Sequence, residues 1–386
     1  MKRVDRKRRK VRLWVALGFI SWTAIIVMAN GRTKDKEFSA EENRILATKP
    51  EAAPDTIING KFMGQYEEYK SDQFLGRDFW VSVKTNVDLL MGKRDSNGVF
   101  QGKDGYLMEE IAVLDEVAHK ENMDAVTAFA ARYPDLKMHM LIAPNAANIL
   151  KEKLPAFATT EDQNAQLKRT EEIASKAGIQ WIDVSKVLKE HKDEEIYYRT
   201  DHHWTTKGAY YAFQEAAESL GIASEELITF SPYTVSEEFN GTLSATSGYE
   251  RARREKIDIY LPKQNDTEVV VNYVEEKEKS ASMYSSEKLK EKDKYGMFLN
   301  GNHALVDIKT TSEKNGRLLV LKDSYANCFV PFLTPYYREI VLVDPRYYYG
   351  DLDDLIEEDR ITDVLFLYNG NTFFTDNNLS GVLESE

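Results

Sequence analysis

Five short apolar segments that alternate with helical patterns constrain the fold of this chain more than any other feature. Strands that alternate with helices pair in parallel and are covered on both faces, so the pattern predicts an α/β fold with a mainly parallel sheet. Helical patterns at Asp115–Tyr133 and Glu161–Ala177 precede the first two segments. The predicted strands are Lys137–Asn145, Gln180–Val184, Leu318–Leu321, Glu339–Asp344 and Asp363–Asn369.

A polar residue lies at the carboxyl end of each predicted strand. Open α/β sheets bind their ligands at these ends, so the polar residues are candidates for a functional site. They are Asn145, Asp183, Ser324, Asp344 and Asn369.

Ser324 is the candidate nucleophile. It follows the buried strand Leu318–Leu321 and stands where a helix can begin. A serine at such a turn has the free N–H groups of the helix start beside it, and these can stabilise an oxyanion. The dipeptide Asp323-Ser324 is also a common turn former, so its position after the strand carries the argument.

The stretch Asp201-His202-His203-Trp204 supplies a candidate base. In an extended turn Asp201 and His203 project to the same side, while His202 points to the other. A carboxylate beside an imidazole fixes its tautomer and stabilises the imidazolium, which makes the histidine a base for a serine hydroxyl. Thr205 and Thr206 then open a helical pattern, which places the pair just before a helix.

Two other interpretations of this stretch remain. One is a loop histidine with a capping aspartate, which requires no chemistry. The other is a metal site, but the single cysteine and the lack of another histidine and carboxylate cluster leave it short of the ligands that zinc needs. We therefore predict neither a metal nor a cofactor.

These motifs resemble those of a known family. Asp201-His202-His203-Trp204 together with Lys322-Asp323-Ser324-Tyr325-Ala326-Asn327 resembles the DHHW family of bacterial envelope proteins. That family is similar to the SGNH/GDSL-like proteins that O-acetylate alginate and other exopolysaccharides. Three earlier stretches, Phe38–Arg44, Asp72–Asp78 and Gly102–Leu107, look like its N-terminal signatures.

The resemblance implies roles for three residues. In the alginate-acetylating relatives an Asp-x-His-Trp motif supplies the acid and the base and a later serine is the nucleophile, which points to Asp201, His203 and Ser324. It also implies an SGNH-hydrolase-like, flavodoxin-like sheet in which the motif order is permuted, since the serine comes last. Lys322 departs from the pattern, because GDS motifs have glycine at this position.

Further candidates for the oxyanion hole or for substrate binding come from small residues and amides. Gly301-Asn302 and Asn369 can donate to a developing negative oxygen, although either cluster can equally be a turn. Arg199, two residues before the motif, is also a candidate for substrate binding.

The N-terminus predicts a membrane anchor. Residues 1–12 carry eight Lys or Arg and one Asp, a net charge of +7, so the net charge of −13 for the whole chain leaves −20 for the rest. Residues 13–30 are uncharged and just long enough to span a bilayer, and the basic flank predicts a cytoplasmic N-terminus. The small-x-small pattern of a cleavage site is poor, which favours an uncleaved signal anchor. We predict a tether at residues 31–56 and a catalytic domain at 57–386 with an insertion at about 224–296.

The sequence favours a membrane-anchored, extracytoplasmic O-acyltransferase, in particular an O-acetyltransferase, that acts on a cell-envelope glycan through an acyl-enzyme. An esterase and a non-catalytic scaffold of an envelope-polymer assembly remain as alternatives. The family resemblance implies a multi-pass membrane acyltransferase as a partner. The acidic body excludes nucleic-acid binding, which requires clustered Lys and Arg.

Overall fold

The computed structural model describes residues 2–36, 38–39, 44–58, 60–249, 254–263 and 267–384. It divides into two compact units, Met1–Gly92 and Lys93–Glu386. Residues 57–92, which the sequence analysis placed in the catalytic domain, therefore cluster with the N-terminal unit.

The N-terminal unit is mainly helical. Its first helix contains the segment Lys10–Asn30, whose length of 21 residues and mean hydropathy of 1.9 are enough to cross a membrane. A two-stranded antiparallel ladder joins Phe38–Ser39 to Arg44–Ile45. The helices of this unit are Lys2–Asn30, Pro54–Ile58, Lys61–Asp72 and Arg77–Leu90.

Two residues of the signature stretch Asp72–Asp78 form hydrogen bonds with the segment that follows the apolar helix. Gln73 Oε1 accepts a hydrogen bond from the Lys36 N–H at 2.9 Å, and Gln73 Nε2 donates to the carbonyls of Lys36 and Ala47 at 2.9 and 3.0 Å. Asp72 accepts from the Ala47 N–H at 2.9 Å. These bonds are structural, so no catalytic role is required to explain the stretch. In the first signature, residues 40–43 lie outside the described residues.

The second unit is built around one eight-stranded sheet. Its five predicted strands are neighbours and pair in parallel, as expected, and the other three are antiparallel. In spatial order the strands are Glu278–Ser280, Val269–Tyr273, Leu305–Thr310, Glu339–Val343, Arg317–Lys322, Asp363–Asn369, Lys137–Ala143 and Gln180–Trp181.

Side-chain alternation in the central strand explains why both faces are covered. Leu318 and Val320 belong to one apolar cluster, which includes Phe213 of a flanking helix. Leu319 and Leu321 belong to a second cluster on the opposite face. The α-helices of this unit are Glu116–Arg132, Ala146–Ile149, Gln163–Lys176, Ser185–Glu190, Thr206–Ala216, Thr242–Ser247, Leu352–Glu358, Gly370–Thr375 and Asn378–Leu383.

The segment predicted as an insertion is part of this architecture. It supplies the last two strands at one end of the main sheet, Val269–Tyr273 and the edge strand Glu278–Ser280. It also forms a separate antiparallel hairpin of Phe230–Phe239 with Glu255–Pro262. The weak pattern in the sequence reflects antiparallel strands, which lack the long apolar runs of central parallel strands.

Candidate active site

The Asp-His-His-Trp stretch forms a tight loop closed by an antiparallel bridge between Tyr197 and Trp204. The Tyr198 N–H donates to the His203 carbonyl across this loop at 3.2 Å. The helix Thr206–Ala216 follows at once, and Thr205 caps it by accepting from the Gly208 N–H at 3.2 Å. The predicted position of the motif just before a helix is therefore what the structure shows.

Ser324 lies directly after a central strand of the sheet. The strand Arg317–Lys322 ends two residues before it, and a 3-10 helix spans Ser324–Cys328. Two hydrogen bonds join this turn to the Asp-His-His-Trp loop. Trp204 Nε1 donates to the Tyr325 carbonyl at 3.0 Å, and the Tyr325 hydroxyl donates to the His202 carbonyl at 2.5 Å.

Asp201, His203 and Ser324 form one continuous chain of side-chain hydrogen bonds. His203 Nδ1 lies 2.5 Å from Asp201 Oδ1, and His203 Nε2 lies 2.8 Å from Ser324 Oγ. Asp201 and His203 are 1% and 5% exposed, whereas Ser324 is half-buried, so only the serine end of the chain is open to a reactant.

The charge of Asp201 fixes the direction of these bonds. Burial by itself would raise the pKa of Asp201, but the imidazoles of His203 and His202 and the hydrogen bonds from His203 and the Thr242 N–H outweigh it and lower the pKa well below its usual range. An ionised carboxylate only accepts, so His203 carries its proton on Nδ1. Nε2 of the neutral ring then has a free lone pair and accepts from the Ser324 hydroxyl.

Thr242, in the segment predicted as an insertion, completes the surroundings of Asp201. Its N–H and its hydroxyl donate to Asp201 Oδ2 at 2.9 and 3.1 Å. The carboxylate thus accepts four hydrogen bonds, the other two from the N–H and the Nδ1–H of His203. Glycine is required at 241, since a Cβ there would lie 2.2 Å from the Asp201 Cβ.

A second carboxylate, the half-buried Glu255, forms hydrogen bonds with the chain immediately before Asp201. It accepts from the N–H groups of Arg199 and Thr200 at 2.6 and 2.8 Å and from the Thr200 hydroxyl at 2.7 Å. Burial raises the pKa of Glu255 in spite of these bonds. Sequence reasoning missed Thr242 and Glu255, because Thr242 contacts the motif, and Glu255 the two residues before it, from more than 40 residues away. Both also lie in a segment without a recognisable pattern.

The His203 ring lies between two other rings. The Tyr295 ring stacks on one side with centroids 3.7 Å apart and an interplanar angle of 11°, and His202 lies on the other at 3.9 Å. Burial and the neighbouring His203 lower the pKa of His202, although Asp201 opposes this. The Thr242 hydroxyl, 3.0 Å from Nδ1 of His202, positions that ring as well. The stack leaves His203 little freedom to rotate.

The hydrogen bonds around Ser324 show which nearby N–H groups are still free to donate to an oxyanion. The Ser324 N–H has no hydrogen-bond acceptor among the residues that the structure describes, so it is free to donate to an oxyanion. The Tyr325 N–H is occupied, because it donates to Asp323 Oδ1 at 2.8 Å. Asn369 is occupied as well, since its Nδ2 donates to Asp323 at 2.5 Å and to Thr372 at 2.7 Å. In this arrangement Asn369 orients Asp323 and has no hydrogen left for an oxyanion.

Gly301 and Asn302 belong to a small polar cluster around Lys322. Asn327 Nδ2 donates to Asn302 Oδ1 at 3.0 Å and to the Gly301 carbonyl at 3.4 Å. Lys322 donates to Asn327 Oδ1 at 2.8 Å and pairs with Asp344 at 3.6 Å, and its burial lowers its pKa although Asp344 opposes this. Asn302 is exposed, and its Nδ2 donates to no described residue, so this amide stays available to a ligand.

The contacts of the Arg199 side chain are with residues other than Ser324. Its guanidinium pairs with Glu195 at 3.0 Å and lies 5.3 Å from the centre of the Tyr106 ring. Nothing in these contacts indicates a substrate, and the predicted binding role stays a prediction.

Asp201, His202 and His203 offer possible metal-ligand atoms within 4.8 Å of one another. Both ring nitrogens of His203 and both oxygens of Asp201 are already hydrogen-bonded, however. A metal bound to His203 would have to displace its bond to Asp201 or its bond to Ser324, so the donor set fits a hydrogen-bonded triad better than a metal site.

Part of this chain is similar to a known protein family. Residues 99–290 match the family model of the SGNH hydrolase-like domain of the acetyltransferase AlgX. The fold is SGNH hydrolase-like. The match confirms the resemblance to the SGNH-like alginate O-acetylating proteins that the sequence motifs indicated, and it includes Asp201 and His203 but ends before Ser324.

Solved structures are also similar to this chain. A DHHW family protein from Eubacterium siraeum superposes with a TM-score of 0.62 and 23% identity, covering 76% of this chain and 98% of that protein. PatB1 from Bacillus cereus superposes with a TM-score of 0.58 and 22% identity, covering 71% of this chain and 97% of PatB1.

A curated relative from Pseudomonas syringae, named as a probable alginate O-acetylase AlgJ, is 26% identical over 184 residues. The alignment covers 45% of this chain and 45% of the relative, so the chain matches less than half of that protein's length.

Proposed function

We propose that this protein is a membrane-anchored, extracytoplasmic O-acyltransferase that moves an acetyl group onto a hydroxyl of a cell-envelope glycan. The observation that carries the proposal is the hydrogen-bond chain from Asp201 through His203 to Ser324. A base held by a buried carboxylate and bonded to a half-exposed serine hydroxyl is the arrangement required for nucleophilic acyl transfer.

The chemistry takes two steps at Ser324. His203 Nε2 removes the hydroxyl proton as Oγ attacks the acetyl carbonyl carbon, and the bond from that carbon to the donor oxygen breaks as His203 returns the proton to that oxygen. His203 then deprotonates a glycan hydroxyl, whose oxygen attacks the acetyl carbon. The bond from that carbon to Oγ breaks as His203 passes the proton to Oγ, which regenerates Ser324. The free Ser324 N–H and the Asn302 amide are the proposed donors to the oxyanion.

Similar proteins suggest a reagent for the site and a class of substrate. PatB1 from Bacillus cereus has also been solved with a sulfonyl adduct. The probable alginate O-acetylase AlgJ suggests a polysaccharide acceptor. The apolar helix Lys10–Asn30 would anchor the protein with its basic N-terminus in the cytoplasm, and a multi-pass membrane acyltransferase would present the donor.

Intact-mass analysis of the full-length protein in detergent tests the proposal. Incubation with 4-nitrophenyl acetate is expected to add one acetyl group, and a sulfonyl fluoride is expected to add one sulfonyl group that blocks acetylation. Peptide mapping should locate both groups on Ser324. If neither reagent modifies Ser324 in folded protein, the site is not catalytic and the scaffold interpretation replaces this one.

Adding short envelope glycans with free hydroxyls separates transfer from hydrolysis. A transferase should move the acetyl group from Ser324 to the glycan faster than it releases acetate. Release of acetate at a rate that the glycan does not change would make the protein an esterase.

The hydroxyl of Thr242 should contribute to reactivity by positioning Asp201 and His202. Replacing Thr242 with valine removes two hydrogen bonds but keeps the backbone bond to Asp201, and we expect the rate of Ser324 acetylation to fall about tenfold, as for the loss of one hydrogen bond to a charged group. Thr242→Ser keeps the hydroxyl and is the matched control, with a rate within about twofold of the parent. Equal rates for the two variants would show that the hydroxyl does not position the triad.

A further inference from the structure

The helix Arg77–Leu90 turns its apolar side outward. At 100° per residue, six large apolar residues at its surface fall within an arc of about 120°. Each of them is between 37% and 88% exposed. They are Phe79, Trp80, Val83, Val87, Leu90 and, at the C-cap, Met91.

The opposite side of this helix, which is more polar, is the side that packs inward. Thr85 is 1% exposed, and Ser82 and Asp88 are half-buried. Lys84, at one edge of the apolar arc, pairs with Asp88 at 3.3 Å. An amphipathic helix normally buries its apolar side, so a large apolar surface left exposed indicates an interaction site.

The position at which the helix Arg77–Leu90 begins indicates what covers its exposed apolar side. The Leu75 N–H, two residues before the helix, donates to Asn30 Oδ1 at 2.8 Å, and Asn30 is the last residue of the apolar helix Lys10–Asn30. A helix of 21 residues is about 31 Å long, about the thickness of the hydrocarbon core. If that helix spans the bilayer, Asn30 lies at its outer surface, and the helix Arg77–Leu90 begins within one hydrogen bond of it.

We propose that the helix Arg77–Leu90 is a second membrane contact, which lies in the outer surface of the bilayer with the apolar arc among the lipid chains. Trp80 belongs to a residue type that is enriched at this interface, and an apolar face beside polar edges is the composition of an interfacial helix. The inference rests on the membrane anchor in the proposed function. The partner is the lipid surface that the anchor itself crosses.

Site-specific fluorescence in lipid vesicles tests this contact. The full-length protein is reconstituted into phosphatidylcholine and phosphatidylglycerol vesicles, with an NBD dye on single cysteines that replace Val83 or Val87 in the arc and Lys84 or Asn86 at its two edges. Burial raises the pKa of the native Cys328 to about 12, so this thiol stays largely unlabelled at neutral pH. A cysteine that replaces Ile20 reports on the anchor.

Lipids that carry a spin-label quencher in their acyl chains should lower the emission at Val83 and Val87 at least twofold more than at Lys84 and Asn86. Quenching at Ile20 combined with equal, weak quenching at all four helix positions would overturn the inference and leave the anchor intact. Emission that depends on protein density and not on the quencher would assign the arc to a second copy of the chain. Absence of quenching at Ile20 would overturn the anchor, and this inference with it.

Discussion

Replacing Ser324 with alanine is expected to abolish acetylation of the protein and to lower ester turnover by about four orders of magnitude or more. The reason is that Oγ is the atom that would form the covalent bond, and no neighbouring group can replace it. Cys328, a few residues away, is completely buried and its pKa is raised to about 12. Intact mass and the release of 4-nitrophenol measure the two effects.

The same substitution should leave the fold unchanged. The side-chain bond of Ser324 to His203 is its only one among the described residues, so the free energy of unfolding should change by less than about 1 kcal/mol. Ser380→Ala is the matched control, because it removes a buried hydroxyl in the C-terminal helix, far along the chain from the triad. A Ser324→Ala variant that is still acetylated would remove this serine from the mechanism.

Replacing Asp201 with asparagine is expected to lower the rate of Ser324 acetylation by about three to four orders of magnitude. Both oxygens of Asp201 act as acceptors, from His203 on one side and from Thr242 on the other. The amide has only one oxygen, so its nitrogen must face one of these donors. If it faces His203, the ring carries its proton on Nε2 and cannot accept from Ser324.

A control variant and the dependence of stability on pH check this interpretation. Asp183→Asn, at another strand end, should leave the rate within about twofold of the parent.

The pKa of Asp201 is lowered by folding, so its charge stabilises the protein above about pH 4, the ordinary aspartate pKa. This stability is lost as the pH falls below that value. Asparagine does not titrate, so the free energy of unfolding of Asp201→Asn should depend less on pH between about 4 and 2. An unchanged acetylation rate would exclude Asp201 from the triad.

The sequence was sufficient to predict the central strands of the sheet, because they are long apolar runs. Arg317–Lys322 and Asp363–Asn369 differ from the predicted limits by no more than one residue at each end. The first of these strands ends two residues before Ser324, so the predicted position of this serine at the carboxyl edge of the sheet is what the structure shows, while its catalytic role stays a prediction. The hydrogen bond between Asp201 and His203 could likewise be predicted, because the two residues lie only two positions apart.

The parts that could not be predicted depend on contacts between distant residues. Whether Asn369 faces an oxyanion or Asp323 is decided by side chains 46 residues apart. Lys322, unusual in place of a glycine, is accommodated by an ion pair with Asp344, which directly follows the neighbouring strand Glu339–Val343. Thr242 and Glu255 carry no motif of their own, and only the folded chain shows that they support the triad.

The separation of the triad residues along the chain has a consequence for biosynthesis. Ser324 lies 121 residues after its proposed base, His203. Asp201 in turn accepts a hydrogen bond from Thr242, which lies 41 residues after it. A serine hydroxyl is a weak nucleophile without an adjacent base, so under the proposed mechanism Ser324 becomes reactive only when this long-range assembly is complete. In an unfinished or unfolded chain Ser324 would then not react with activated acyl groups, and its acetylation could serve as a measure of folding.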